Sequence, residues 1–153
     1  MGVFFVHLIE IPYEPVPWSA PRLSKFRCYD PREKDKRAIR YLVKEQYKDP
    51  MIEGYVNIVF MFGFSIPKST SKKNAAKMLA QEIIPTRCDC TNLQKLFEDC
   101  LKGIVFKDDR LVETISTKKI YAPKPFMMAL IWTKKERQEG SFSKDLERII
   151  KCA

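Results

Sequence analysis

The stretch YVNIVFMFGF, residues Tyr55–Phe64, holds the longest apolar run of the chain and predicts a buried strand. One apolar face is formed by alternate side chains: Val56, Ile58, Phe60, Phe62 and Phe64. Val59 and Met61 form the other face. A strand that is apolar on both faces is typical of the interior of a sheet. We therefore expect this segment to be a core strand of the fold.

Strands and helices are intermixed on both sides of this segment. Apolar or alternating patterns predict three further strands: Val3–Ile11, Arg110–Tyr121 and Phe126–Thr133. Helical spacing and end signals predict four helices: Asp30 to about Lys48, Lys72–Gln81, Thr91–Lys102 and Ser141–Lys151. The mixed order predicts an α+β fold, with a mixed β-sheet and packed helices in a single domain over residues 1–153.

Two of the helices carry specific signals. Thr91 and Gln94 have the spacing of a capping box, so Thr91 is predicted to cap the helix that Gly103 ends. The apolar stripe of that helix is Leu93, Leu96, Phe97, Cys100 and Leu101. In the helix after Asp30, one face is predicted from helical spacing: Ala38, Tyr41, Leu42 and Glu45.

The formal net charge of +9 favours a polyanionic partner. Lysines crowd the segment 68–77, and no acidic residue lies between Glu53 and Glu82. No apolar run approaches the roughly 20 residues that span a bilayer, and the first residues lack a signal-peptide pattern. We therefore expect a cytoplasmic protein with no membrane association. The odd number of cysteines predicts reduced thiols, and their spacing is a poor match to zinc sites.

Carboxylates are the strongest candidates for chemistry. The only histidine, His7, lies in a predicted strand, which disfavours a Cys/His or Ser/His nucleophile, and no glycine-rich phosphate loop is present. Asp89 precedes the helix at Thr91, and Asp108 and Asp109 follow it. If Asp89 ends one strand and Asp109 begins the next, both carboxylates can reach one Mg²⁺ ion beside a phosphate. The alternative is a charged turn and a carboxylate that interacts with the helix dipole.

The segment DCTNLQK (89–95), followed by Asp99 and the pair Asp108-Asp109, resembles the signature of the RusA family of Holliday junction resolvases. PVPWSAPR (15–22) and FSIPKSTSKK (64–73) resemble the family's proline-rich loop and its serine–lysine loop. The resemblance implies a homodimer that binds four-way DNA junctions. It also implies that this homodimer cuts symmetrically related phosphodiester bonds with Mg²⁺ or Mn²⁺.

The resemblance also implies a role for each matching residue. Asp89 and Asp109 match catalytic, metal-binding aspartates. Lys95 matches a catalytic or DNA-contacting lysine, and Asn92 matches a residue that orients the site. Asp108 is expected to contribute less, because adjacent strand residues face opposite sides. Four lysines are the expected DNA contacts: Lys68, Lys72, Lys73 and Lys119. For Lys72 and Lys73 the alternative is a solvated basic loop.

Two positions depart from the family pattern. Thr91 stands where the family has its second aspartate, and Leu111 where it usually has glutamine. A threonine hydroxyl caps a helix about as well as an aspartate does, but it is a poor ligand for a hard cation. Thr91 is therefore expected to support the fold and to weaken the site. Glu113 is not expected to compensate, because four strand residues separate it from Asp109 by about 13 Å.

These observations leave three hypotheses. The first is a metal-dependent junction endonuclease of recombination, repair or phage DNA processing. The second is a protein of the same fold that binds branched DNA without cutting it. The third is a small basic module that associates with RNA, which is disfavoured because the basic segments lack interleaved aromatic residues.

Overall fold

The computed structural model describes residues 6–133. The strands are β1 His7–Ile11, β2 Arg22–Leu23, β3 Cys28–Tyr29, β4 Val56–Ser65, β5 Val112–Ala122 and β6 Phe126–Thr133. The helices are α1 Glu33–Gln46, α2 Lys72–Leu79 and α3 Cys90–Leu101. Among these helices, none is long and apolar enough to cross a membrane. Two sequence predictions lie wholly or partly outside the described residues: the helix Ser141–Lys151 and the start of the strand Val3–Ile11. The ends of the predicted single domain, 1–153, lie outside them as well.

Four strands form a sheet in the order β1-β6-β4-β5. Strand β4 pairs in parallel with β5 and antiparallel with β6, and β6 pairs antiparallel with β1. The sheet is therefore mixed, and the predicted α+β fold is confirmed. A second, two-stranded sheet of β2 and β3 follows the proline-rich loop. This hairpin is not predicted from the sequence, because its strands lack the apolar alternation of a packed sheet.

The core lies between one face of the sheet and helices α1 and α3. The predicted inner face of β4, from Val56 to Phe64, is buried in the main core with Leu93 and Phe97 of α3. The opposite face, which includes Val59 and Met61, is buried in two smaller clusters. Both predicted faces of the central strand are thus confirmed, and β4 is covered on both sides.

The start of α3 corrects one sequence prediction. The N-cap residue is Asp89, whose side chain accepts a hydrogen bond from the Asn92 backbone N–H, and Thr91 lies inside the first helical turn. The predicted capping role of Thr91 is therefore wrong. An aspartate is as good a cap as threonine, and Asp89 takes the position two residues earlier. The end of the helix agrees with the prediction, because Gly103 follows it with a positive φ of 77°.

The face of α1 and the start of β5 also differ from the predictions. The buried residues of α1 are Ile39 and Val43, while Tyr41 is 64% exposed. The true apolar stripe is thus shifted by one position from the predicted one. Strand β5 begins at Val112 because Asp109–Leu111 form a short 3₁₀ turn. Asp108 and Asp109 therefore lie in a turn, and the expected alternation of strand faces does not apply to them.

Four cysteines of the described part carry free thiols: Cys28, Cys88, Cys90 and Cys100. Only Cys100 is buried, and burial raises the pKa of its thiol to about 12. Its thiol is therefore neutral at physiological pH and packs as a small apolar group. Cys28 is exposed in β3, so the expectation of a buried apolar role holds for Cys100 and not for Cys28.

The parallel pair gives the molecule two distinct ends. Ser65 at the end of β4 lies opposite Ala122 at the end of β5, and we call this end the carboxyl edge of the sheet. Helix α3 runs antiparallel to β5. Lys119 in the second half of β5 bonds to Cys88 just before the helix, and Lys102 just after the helix pairs with Asp109 just before β5. The start of α3 therefore lies at the carboxyl edge, and its end lies near the beginning of β5.

Candidate active site

Asp89 is held at the carboxyl edge by the first turn of α3. Its Oδ1 accepts a hydrogen bond of 2.7 Å from the Asn92 backbone N–H. Its Oδ2 accepts one of 2.9 Å from the Asn92 side-chain amide. Asn92 thus fixes both carboxylate oxygens, which agrees with the orienting role that the resemblance implies. The side chain is exposed, so lone pairs of both oxygens remain accessible from solvent.

The surroundings of Asp89 favour its ionised form. The Asn92 backbone N–H holds the pKa of the Asp89 carboxyl below its usual value, and the Asn92 amide and the charge of Lys119 act in the same direction. Partial positive charge at the start of a helix contributes in the same way. Asp89 is therefore an anion at neutral pH, as a ligand for a hard cation must be.

Lys119 brings β5 to the start of α3. Its Nζ donates a hydrogen bond to the backbone carbonyl oxygen of Cys88, the residue before Asp89. The side chain is half-buried, so the ammonium group is fixed beside the carboxylate. Lys119 was predicted as a DNA contact, and its position next to Asp89 places it at the candidate site itself.

Lys95 lies one turn after Asn92 and contacts a residue that the sequence analysis did not assign to the site. Its Nζ is 3.6 Å from the centroid of the Trp18 ring, a cation–π contact. The Trp18 backbone N–H donates a 2.8 Å hydrogen bond to the carbonyl oxygen of Asn92. The proline-rich loop is therefore tied to α3 beside the site. The available signal was a tryptophan within a proline-rich loop, an unusual place for a large apolar side chain.

Thr91 is exposed on the first turn of α3, between Asp89 and Asn92 in sequence. Thr91 and Lys95 are four residues apart, and such residues share one face of a helix. Because Asp89 provides the cap, a carboxylate at position 91 is not needed to start the helix. The difference between threonine and aspartate at this position therefore concerns the charge of the site and not its fold.

Asp109 lies at the other end of α3. Its Oδ2 is 3.5 Å from the Nζ of Lys102, the residue that follows the helix. Its charge also raises the pKa of Glu98, after the larger effect of Glu98's own burial. A helix of this length is about 18 Å long at a rise of 1.5 Å per residue. The structure therefore does not bring Asp89 and Asp109 together within one copy of the chain. The premise that Asp89 ends a strand was wrong.

Asp108 is engaged with its own turn. Its Oδ1 accepts hydrogen bonds from the Arg110 backbone N–H at 3.0 Å and from Nε at 3.1 Å. Its Oδ2 accepts a third, of 3.1 Å, from the guanidinium of the same residue. The Arg110 side chain holds the pKa of Asp108 far below its usual value. Asp108 therefore closes the turn before β5.

The predicted DNA-contact lysines other than Lys119 follow the end of β4. Lys68 is exposed in the loop that leaves the carboxyl edge, and Lys72 and Lys73 are exposed in the first turn of α2. Ser71 caps this helix by accepting the Asn74 backbone N–H at 3.3 Å. A helix start with exposed backbone N–H groups favours phosphate, and the two lysines add positive charge to it.

The donor set limits what one copy of the chain can hold. Among residues 6–133, no group of three or more histidine, cysteine, aspartate or glutamate side chains is arranged to bind a metal ion. At the carboxyl edge, Asp89 is the predicted ligand, and Asp109 lies beyond the length of α3. Within one copy, a divalent ion at the carboxyl edge would therefore be held by one predicted carboxylate, that of Asp89. The expected pair of Asp89 and Asp109 does not form within one copy.

Comparison with protein families finds a match over most of the chain. The model described as Endodeoxyribonuclease RusA matches residues 12–129. This match covers well over half of the chain and includes every residue that the sequence analysis assigned to the site. No individual curated protein matches the chain.

Proposed function

The chain belongs to the RusA endodeoxyribonuclease family, and on that premise we propose that it is a metal-dependent endonuclease that cuts four-way or branched DNA junctions. The observation that carries the proposal is the cluster at the carboxyl edge. There, an ionised and exposed Asp89 is oriented by Asn92, with the charge of Lys119 beside it and Lys95 further along the same helix, over the Trp18 ring. A fixed anion beside fixed cations suits a site that must hold a metal ion and a phosphate together.

Each residue of this cluster has a role in the proposal. Asn92 holds the Asp89 carboxylate in one orientation, and Lys119 favours its ionised form. Lys95 presents an ammonium group that can pair with a phosphate oxygen, while Trp18 restricts its position. A bound Mg²⁺ or Mn²⁺ would supply charge for the scissile phosphate and an activated water.

We propose that the full site needs two copies of the chain. The homodimer is the assembly that the resemblance implies. The separation of Asp89 from Asp109 along α3 is a physical reason for a second copy to be needed at each ion site. One ion can be held by both residues only if Asp89 of one copy and Asp109 of another supply them. In a twofold dimer the same exchange creates two equivalent sites. Two sites of this kind agree with symmetrical cutting of a junction.

DNA binding is proposed to depend on the basic start of α2. Lys72 and Lys73 are exposed, and α2 contains no acidic residue. Junction affinity should fall with salt at a log–log slope of about −0.9 per phosphate contacted. Replacing Lys72 and Lys73 by alanine should flatten that slope. The charge-matched control replaces Lys34 and Lys44, exposed on α1, and should leave the slope closer to that of the unaltered protein. An unchanged slope for the α2 variant would exclude these lysines as contacts.

The second candidate function is binding of branched DNA without cutting. The observation that favours it is Thr91, an uncharged side chain where the resemblance implies an aspartate, in a site with one predicted carboxylate per copy. Removing a negative charge weakens capture of a cation. Binding through phosphate contacts does not need that charge, and so it would remain.

The test is cleavage of a labelled four-way junction with Mg²⁺ or Mn²⁺, by the unaltered protein and by Thr91→Asp. Thr91→Ser is the matched control, because it keeps the hydroxyl and adds no charge. Symmetrical cleavage by the unaltered protein supports the endonuclease. Cleavage by Thr91→Asp alone supports the binding protein. If neither protein cuts and neither prefers the junction over a linear duplex, the proposed function fails.

A further inference from the structure

The hairpin formed by β2 and β3, residues Arg22–Tyr29, has no role in the fold or in the site described above. Every residue from 20 to 29 is exposed. Two large apolar side chains are almost fully open to solvent: Leu23 is 86% exposed and Phe26 is 90% exposed. Within residues 6–133, every other phenylalanine is buried or half-buried, so the exposed ring of Phe26 stands out. Exposed apolar side chains that lie close together often mark an interaction site.

The tip of the hairpin has a defined backbone. The Ser24 N–H donates a 2.8 Å hydrogen bond to the Arg27 carbonyl oxygen, and the Ser24 hydroxyl donates one of 2.9 Å to the same oxygen. The Arg27 N–H donates to the Ser24 hydroxyl at 3.2 Å. These bonds close a two-residue loop of Lys25 and Phe26. The ring of Phe26 is therefore presented by a closed turn.

The base of the hairpin is anchored beside the candidate site. Before it, Trp18 is bonded to Asn92 in the first turn of α3. After it, Asp30 forms a 2.8 Å ion pair with Lys36 of α1. Arg22 is the fourth residue after Trp18, and an extended chain covers at most about 14 Å over that length. The first strand of the hairpin therefore begins near the first turn of α3, which Asp89 caps.

The chemistry of the hairpin points to nucleic acid with exposed base faces. Arg22, Lys25 and Arg27 lie within four residues of Phe26 in sequence, and residues 20–29 contain no acidic side chain. Basic side chains pair with backbone phosphates, and an aromatic ring stacks on a base of any sequence. Inside a continuous duplex the base faces are covered by their neighbours. At a branch point stacking is interrupted, and inserted apolar side chains can take the place of the missing base.

We propose that Arg22–Tyr29 is a branch-point reader, in which Phe26 stacks on a base at the point where the DNA strands exchange. This inference rests on the proposed function, because it assumes that branched DNA is the substrate. It goes further by naming the feature that distinguishes a junction from a duplex. It also gives a reason for anchoring the base of the hairpin to α3: a cut near the branch requires the branch to be held at a fixed place relative to the site.

The experiment measures affinity for a four-way junction and for a linear duplex of the same arm sequence, without divalent ions. For Phe26→Ala we expect junction affinity to fall about tenfold, within the range found for loss of one stacked base, while duplex affinity stays unchanged. Phe26→Trp should keep the junction preference, because it keeps a stacking ring. Tyr41→Ala is the matched control, since Tyr41 is an aromatic residue of α1 that is 64% exposed. It should bind as the unaltered protein does.

Each result bears on the proposal in a defined way. Loss of junction preference in Phe26→Ala, with retention in Phe26→Trp, supports the branch-point reader. Full junction preference in Phe26→Ala overturns it, as does an equal loss of affinity for junction and duplex. A change in the mass of the protein in solution would assign the ring to contact between copies and overturn it as well. If the unaltered protein shows no junction preference, the proposed function itself has failed, and this is seen before any variant is compared.

Discussion

The two ends of α3 carry the same kind of residue in opposite environments. At its start, Asp89 is exposed, its carboxylate is bonded to Asn92, and its pKa is lowered. At its end, Asp109 is paired with Lys102, and the neighbouring Glu98 has a raised pKa because of burial and the charge of Asp109. The first end is built to keep a negative charge accessible. At the second end, the acidic groups of Glu98 and Asp109 lie close to one another, and Lys102 pairs with Asp109.

This difference shows how a motif that is compact in sequence can be divided in space. Asp89 and Asp109 are separated by a single helix and a turn, but the helix holds them at opposite ends of its axis. Neither end alone forms a cluster of three or more ligands within residues 6–133. The proposed site is completed when the start of one α3 meets the end of another.

The largest expected effect tests whether both ends are needed for cutting. Asp89→Asn and Asp109→Asn should each lower the cleavage rate by about 100-fold or more, because each removes a charge from the proposed ion site. If the unaltered protein does not cut, the comparison is made in Thr91→Asp. The measurement is single-turnover cleavage of a four-way junction.

Asp108→Asn is the matched control for Asp109→Asn. Asp108 is bonded to Arg110 in its own turn, so its loss should reduce cleavage much less. A loss in Asp108→Asn as large as that in Asp109→Asn would mean that the turn, and not the Asp109 carboxylate, is what cleavage requires.

A smaller effect tests how Lys95 is positioned at the start of α3. Trp18→Ala removes the ring beneath the ammonium group, and an exposed cation–π contact corresponds to a factor of about two to five. We expect the cleavage rate to fall by that factor in Trp18→Ala. In Trp18→Phe, which keeps an aromatic ring, most of the cleavage rate should remain. Lys95→Arg, which retains a cation over the ring, separates positioning from the identity of the cation. Equal rates for Trp18→Ala and the unaltered protein would show that Lys95 needs no such support.

The next prediction separates the two roles of Asp89, as a helix cap and as a charged group. Asparagine caps a helix about as well as aspartate, whereas alanine does not. Asp89→Ala should therefore lower Tm by about 2–4 °C in a chain of this size, and Asp89→Asn should lower it much less. Thermal unfolding followed by circular dichroism measures both. Equal losses of stability would contradict the assignment of Asp89 as the cap of α3.

The smallest effect concerns pH at the other end of the helix. The pKa of Glu98 in the folded protein is raised, so its contribution to stability is present below the unfolded pKa and is lost as pH rises through the folded pKa. Glu98→Gln should therefore raise Tm by about 1–3 °C at neutral pH and give no gain at acidic pH. The contribution of Asp89 to stability changes with pH in the opposite direction, because its pKa in the folded protein is lowered. That contribution is present at neutral pH and is lost as the pH falls through the folded pKa. Glu45→Gln, on the exposed surface of α1, should be nearly neutral at both pH values.

Much of the fold was predictable because it depends on side-chain periodicity. The alternation in Tyr55–Phe64 predicted both buried faces of β4, and the stripe on α3 predicted its core contacts. The hairpin Arg22–Tyr29 was not predictable in this way, since it buries no apolar face. The choice between Asp89 and Thr91 as the cap of α3 was also undetermined, because both side chains can accept the same backbone hydrogen bond.

The sequence indicated which residues belong to the site better than it indicated how they are arranged in space. The resemblance singled out Asp89, Asn92 and Lys119, and the structure brings these three together. It could not reveal that Asp109 lies beyond the far end of α3, because the spacing in sequence does not state the direction in which a helix runs. The contact of Trp18 with Lys95 was equally hidden, since the 76 residues between them must fold before the two meet.

The most direct test of the two-copy site is cleavage by a mixture of inactive variants. Asp89→Asn and Asp109→Asn are co-expressed, so that mixed dimers form beside the dimers of each single variant. If each site combines Asp89 of one copy with Asp109 of the other, a mixed dimer has one intact site. The mixture should then nick one strand at about a quarter of the cleavage rate of the protein that has both aspartates, because about half of the dimers are mixed and each has one of two sites. If the mixture is as inactive as its components, both aspartates act within a single copy, and the account is contradicted.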